Sequence, residues 1–214
     1  LQQASHPDGG PVHLNVALQE PLYGQQKLSL PAVRWPAIPS TKSPDLTRLH
    51  KVWKKADRKL VLVGMHPPDE ALQQVLTQLA EDPSVVVWTE NLANVSHPDF
   101  HPCIDRLMAS FNEEDRKTFV PEVLVTLGDA IVSKWVKKWW RQRSPQYHFN
   151  ITPGELHYDM FGCLTETLVA DPVEVLTTMA NWEFVESTYA KQWQQREEKA
   201  RQGHTDYLKG LTWS

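Results

Sequence analysis

The stretch of this sequence best equipped for chemistry is Gly128-Asp129-Ala130-Ile131-Val132-Ser133-Lys134-Trp135. Ser133 predicts a helix N-cap, which places Lys134 in the first turn of the helix that follows. Helix N-termini favour anions, so a lysine there either serves something outside the helix, such as a carboxylate ligand, or is a plain exposed side chain. Lys137, Lys138, Arg141 and Arg143 read as a solvated basic face. A second polar group, Glu90 and Asn94 in Trp88-Thr89-Glu90-Asn91-Leu92-Ala93-Asn94-Val95, either lines a crevice or satisfies loop backbone. His97, Asp99, His101 and Cys103 are metal-ligand types, but Pro98 and Pro102 break the register that would converge two histidines, and no further pair lies at a zinc-like spacing. No metal site is expected.

These residues need elements to position them. Lys59-Leu60-Val61-Leu62-Val63-Gly64, Val85-Val86-Val87-Trp88, Val123 to Gly128, Tyr147 to Ile151 and Leu164 to Val169 are short apolar runs, each with the length and texture of a strand. Helical spacing separates them: from Leu46 to Trp53, Asp69 to Glu81, Ile104 to Phe111, Glu113 to Phe119, Val132 to Arg141 and Val173 to Phe184. In the helix over 132–141 the expected buried stripe is Val132, Val136, Trp139 and Trp140. Apolar strands alternating with amphipathic helices predict an α/β fold, a doubly wound, mostly parallel sheet with helices on both faces, over residues 45–182. In such a sheet, ligands sit beyond the carboxyl ends of the strands, where the residues singled out above fall.

Residues 1–44 carry seven prolines, which excludes sustained helix and leaves one short strand, Val12 to Val16, and a linker. Residues 183–214 turn to Gln, Glu, Lys and Arg, with Tyr189 and Trp193 four apart, and read as a solvated helical connection leading out of the domain. The chain begins at Leu1 without a methionine, so it reads as a piece of something longer. Its 22 Lys+Arg against 26 Asp+Glu give a net charge of -4, so nucleic-acid binding has no global electrostatic support. Two cysteines exclude a disulfide scaffold, no apolar run approaches a membrane span, and a cytoplasmic protein is expected.

Several enzyme signatures are absent. Gly64-Met65-His66-Pro67-Pro68, after the first strand, lacks the glycine-rich turn of a dinucleotide site. There is no Gly-x-Ser-x-Gly elbow, Walker A loop or His-Glu-x-x-His helix. Gly128-Asp129-Ala130 with Asn150 downstream is superficially like the Gly-Asp-Gly to Asn signature for magnesium and diphosphate, but the spacing is too short and Asn150 ends a strand.

Gly10-Pro11-Val12-His13-Leu14-Asn15-Val16 with Glu20-Pro21-Leu22, Glu90-Asn91-Leu92-Ala93-Asn94-Val95 through Ile104-Asp105-Arg106-Leu107, and Leu127-Gly128 to Ser133-Lys134 occur in this order. Together they resemble the thiamine-diphosphate-dependent synthases of the menaquinone pathway known as MenD. The second stretch is similar to the family's Glu-x-x-Ser-Asn-Leu run and its later Asp, and the third to its Gly-x-x-x-x-Ser-Lys turn. The resemblance implies a central domain with the end of the preceding pyrimidine-binding domain over 1–44 and the approach to the diphosphate-binding domain over 183–214.

The same resemblance implies a parent transferase, a homo-oligomer, that uses thiamine diphosphate and Mg2+ to decarboxylate 2-oxoglutarate and add the succinyl unit to isochorismate. The catalytic glutamate and metal motif of the family lie in the domains this sequence lacks. The fragment is therefore expected to hold no cofactor or metal and to be inactive alone. Lys134, with Ser133, Trp135 and Asn94, is then expected to face substrate. Trp135 stands where some members have a second cation, an arginine. The alternatives are a ligand-binding or regulatory α/β module, or a structural spacer.

Overall fold

The computed structural model of the protein describes residues 43–102, 104–154 and 159–211, together with Pro11, His13 and Asn15. Val12, Leu14 and Val16 of the expected strand, the linker before Ser43 and Cys103 lie outside the described residues, while His13 and Asn15 are exposed and carry no strand structure.

Six strands, β1 (Lys59–Val63), β2 (Val85–Thr89), β3 (Phe100–His101), β4 (Val123–Leu127), β5 (Tyr147–Thr152) and β6 (Glu166–Val169), form one sheet in the order β3-β2-β1-β4-β5-β6. Every neighbouring pair is parallel, with Lys59 opposite both Val85 and Val123, and Val123 opposite Tyr147. β1, β2 and β4 are buried at every position, because helices cover both faces. This is the doubly wound α/β fold. β3 is the strand that periodicity misses. It is two residues long, flanked by Pro98 and Pro102, and exists through its pairing with Val87 and Trp88.

Side chains alternate between two cores. Val61, Val63, Val87, Val125 and Ile151 pack against α1 (Thr47–Trp53), α2 (Glu70–Leu79) and α6 (Pro172–Ala180). Leu60, Leu62, Val86, Trp88 and Leu124 pack against α3 (Ile104–Ala109), α5 (Lys134–Gln142) and α7 (Tyr189–Lys209). The short α4 (Glu113–Thr118) buries none of its own residues and is held by a capping box between Asn112 and Asp115. At the amino edge of the sheet the ammonium of Lys59 is fully buried 3.2 Å from Asp82, whose other oxygen accepts from the Ser84 amide and hydroxyl.

Two sequence expectations are corrected. Val132 is 61% exposed and is not part of the buried stripe of α5, because the helix starts at Lys134 and Ile131 fills the place in the core instead. The helix after Trp182 is not solvated along its first turns. Tyr189 and Trp193 are buried, and the Tyr189 hydroxyl donates to the Phe119 carbonyl at 2.9 Å. Arg196 pairs with Asp115 at 2.6 Å, and Glu197 takes both His101 and Arg106. From Arg201 to Leu211 every residue is exposed.

Candidate functional site

β1 and β4 lie side by side at the centre of the sheet, and the chain leaves them toward opposite edges. This is the switch point where an open α/β sheet usually opens a ligand crevice. Here the two turns fill it. The Gly64 amide donates to the Leu127 carbonyl at 2.9 Å, and the Asp129 amide to the Met65 carbonyl at 2.8 Å. A Cβ on Gly64 would stand 2.5 Å from the Asp129 carbonyl oxygen. Gly128 has φ +77°, in the left-handed region that favours glycine, and a Cβ on it would stand 2.8 Å from the Met65 carbonyl oxygen. Backbone packed this closely leaves no cradle for a diphosphate.

The open surface lies one strand over. A pocket of about 480 Å³ at the carboxyl edge is lined by Glu90 and Leu92 after β2, Ile104, Asp105 and Arg106 on α3, and Ser133 at the start of α5. Leu92 and Val132 give it an exposed apolar rim. The Arg106 guanidinium reaches Glu197 at 3.7 Å, and its Nε is buried without a hydrogen-bond partner among the described residues.

Ser133 is the N-cap of α5, its hydroxyl oxygen accepting from the Val136 amide at 3.2 Å. The same hydroxyl donates to the Asp105 carboxylate. Glu90 accepts from the Val132 and Ser133 amides at 2.6 and 2.8 Å. Both alternatives for Glu90 are therefore met, since it satisfies loop backbone and lines the pocket. Lys134 is exposed beside the pocket, and among the described residues its ammonium is in no ion pair. Trp135 follows it, 44% exposed. Asn94 is the one non-glycine residue described with positive φ, 54°, and its amide donates to the carbonyls of His66 and Leu92 at 2.7 and 3.2 Å. It joins the loops after β1 and β2, so its side-chain nitrogen is already engaged by backbone. Glu90 and Ser133 thus meet at one place, with Lys134 the next residue along the chain but not among those lining the pocket, while Asn94 stands apart, in the shallow dip it shares with Glu90 and Asn91.

Asp105 is the contributor that residue-type reasoning passes over. The signal available for it is its place within the Ile104-Asp105-Arg106-Leu107 stretch. A second polar cluster, also unanticipated, sits between β4 and β5, where the Thr126 hydroxyl donates to Asn150 at 2.9 Å and contacts His148 Nε2 at 2.9 Å. Burial pushes His148 down to about 4, against the attraction of Asp159, so the imidazole is neutral. Burial also pushes the neighbouring Cys163 thiol up to about 11, which makes it a poor nucleophile.

The histidines near β3 do not converge on a metal. His97 faces Asp99 at 3.5 Å, while His101 turns inward to Glu197. Among the described residues no group of three or more His, Cys, Asp or Glu is placed to hold a metal ion, and no helix is long and apolar enough to cross a membrane.

No protein-family model matches the chain. It is 37% identical over 193 residues to the 2-succinyl-5-enolpyruvyl-6-hydroxy-3-cyclohexene-1-carboxylate synthase of Flavobacterium psychrophilum, covering 86% of this chain and 34% of that protein. The Flavobacterium johnsoniae synthase of the same name is 35% identical over 84% of the chain and 33% of its own length. The Porphyromonas gingivalis synthase matches all of the chain at 26% identity and 39% of its own length. The chain spans about one third of the length of the curated relatives it matches. Over that shared third, the chain belongs to the 2-succinyl-5-enolpyruvyl-6-hydroxy-3-cyclohexene-1-carboxylate synthase family.

Proposed function

We propose that the chain serves a synthase that makes 2-succinyl-5-enolpyruvyl-6-hydroxy-3-cyclohexene-1-carboxylate from 2-oxoglutarate and isochorismate. Thiamine diphosphate and Mg2+, which supply the decarboxylation chemistry, belong in this reading to parts of the synthase outside the sequence. What this chain brings is a scaffold and a cation. The observation that carries the reading is the Ser133-Lys134 turn at the carboxyl edge, in a sequence whose relatives carry that synthase name.

Both substrates bear carboxylates, and an exposed ammonium with no ion-pair partner among the described residues is suited to orient one through a charge-assisted hydrogen bond. α5 assists this, because its N-terminal dipole favours the same anion. Trp135, exposed beside Lys134, contributes a flat apolar face instead of a second charge. Asn94 supports the site by tying together the loops behind it.

The test is a reaction mixture of 2-oxoglutarate, isochorismate, thiamine diphosphate and magnesium. A complete synthase carrying this sequence is expected to form product, and the 214-residue chain alone to form none. Failure of the complete protein would refute the function, and turnover by the chain alone would refute the placement of the cofactor.

A further inference from the structure

We propose that Glu90 and Asp105 are positioning residues, two carboxylates from separate elements that clasp the Ser133 turn and thereby aim Lys134. The effect on substrate rests on the reading of Lys134 given above; the clasp itself does not.

The loop between β4 and α5 has no regular structure, and Asp129, Ala130 and Val132 on it are exposed. Its last two amides before the helix, those of Val132 and Ser133, both donate to the one Glu90 carboxylate, at 2.6 and 2.8 Å. Ser133 is almost fully buried, and its hydroxyl is used twice, donating to Asp105 and accepting from Val136. Three elements, the end of β2, the first turn of α3 and the first turn of α5, therefore meet on a single residue. Charge-assisted bonds of this kind are the strong ones, and negative charge at a helix N-terminus is favoured.

Both carboxylates bond Ser133, the residue before Lys134, and among the described residues neither forms an ion pair with Lys134. They spend their acceptor capacity on backbone amides and a hydroxyl. The turn is fixed while, among the described residues, the ammonium has no ion-pair partner and is open to an anion arriving from solvent. A carboxylate paired directly with Lys134 would do the reverse.

Glu90→Gln keeps the shape but places an amide NH2 against one of the two backbone donors. Amide hydrogen exchange of the chain, followed by NMR, is expected to accelerate about tenfold or more at Val132 and Ser133, with the amides of β1 and β4 unchanged. Ser133→Ala, which removes only the hydroxyl, is expected to loosen the same turn and serves if Glu90→Gln does not fold. In a complete synthase, Glu90→Gln is expected to raise KM for the same carboxylate substrate as Lys134→Ala, with kcat changing less. The double variant is expected to be no worse than the poorer single one. Unchanged exchange at Val132 and Ser133, or KM effects that multiply in the double variant, would overturn the proposal. If exchange accelerates while Lys134→Ala leaves both KM values unaltered, the clasp stands and the reading of Lys134 as the substrate contact falls.

Discussion

Removing the Trp193 side chain tests whether α7 is part of the folded domain. The indole is fully buried and lies 4.7, 4.9 and 5.6 Å, ring centre to ring centre, from Phe119, Trp88 and Phe111. Truncating a buried Trp to Ala costs about 3–5 kcal/mol, and aromatic contacts add to the area lost. Among the described residues the Trp193 Nε1 has no hydrogen-bond partner, so the substitution also relieves an unpaired donor and brings the expected loss to the lower end, about 3 kcal/mol. At a urea slope of about 2 kcal/mol/M, the midpoint of Trp193→Ala falls by about 1.5 M. Tyr207→Ala on the same helix, where Tyr207 is 66% exposed, is expected to change stability by less than about 0.5 kcal/mol. Equal midpoints for Trp193→Ala and the unaltered chain would mean that α7 is only a connection, and would refute the packing argument.

Acidification and crowding provide two further tests. His148 stays neutral in the fold down to about pH 4, whereas in the unfolded chain it takes up its proton near 6.5, so the unfolded state gains protons first. Stability is therefore expected to fall as pH drops from about 6.5 to 4, by up to about 3 kcal/mol from this group, and His148→Gln should lose that component in urea titrations across the window. Gly64→Ala forces a Cβ against the Asp129 carbonyl oxygen and is expected to cost about 1–3 kcal/mol, read as a lowered thermal midpoint; an unaltered midpoint would mean that the switch point is open.

The sheet was legible where sequence and burial coincide. Leu60 to Val63 and Val85 to Trp88 are continuous apolar runs, and Val123 to Leu127 is one broken only by Thr126, because both faces of those strands are covered, and that pattern identifies a parallel sheet without reference to any site. Phe100-His101 was not legible, since two residues between prolines carry no period and their pairing with β2 is a tertiary effect. Val132 misled because helical spacing continues through it, whereas the Ser133 cap starts the helix at Lys134, two residues later. Tyr189 and Trp193 were noticed, but a sequence rich in Gln, Glu and Arg does not reveal that their partners are Phe119 and Trp88, 70 and 105 positions away along the chain. The site follows the same logic. The Ser133 cap was readable from local capping chemistry. The roles of Glu90 and Asp105 depend on bonds spanning 43 and 28 residues, which no local pattern contains.

The central claim is that Lys134 presents this chain's charge to a carboxylate substrate. Steady-state kinetics of a complete synthase carrying Lys134→Ala, with 2-oxoglutarate and isochorismate varied in turn, test it most directly. Loss of one charge-assisted hydrogen bond is expected to raise KM for one of the two substrates about tenfold or more. Unchanged KM for both would contradict the account.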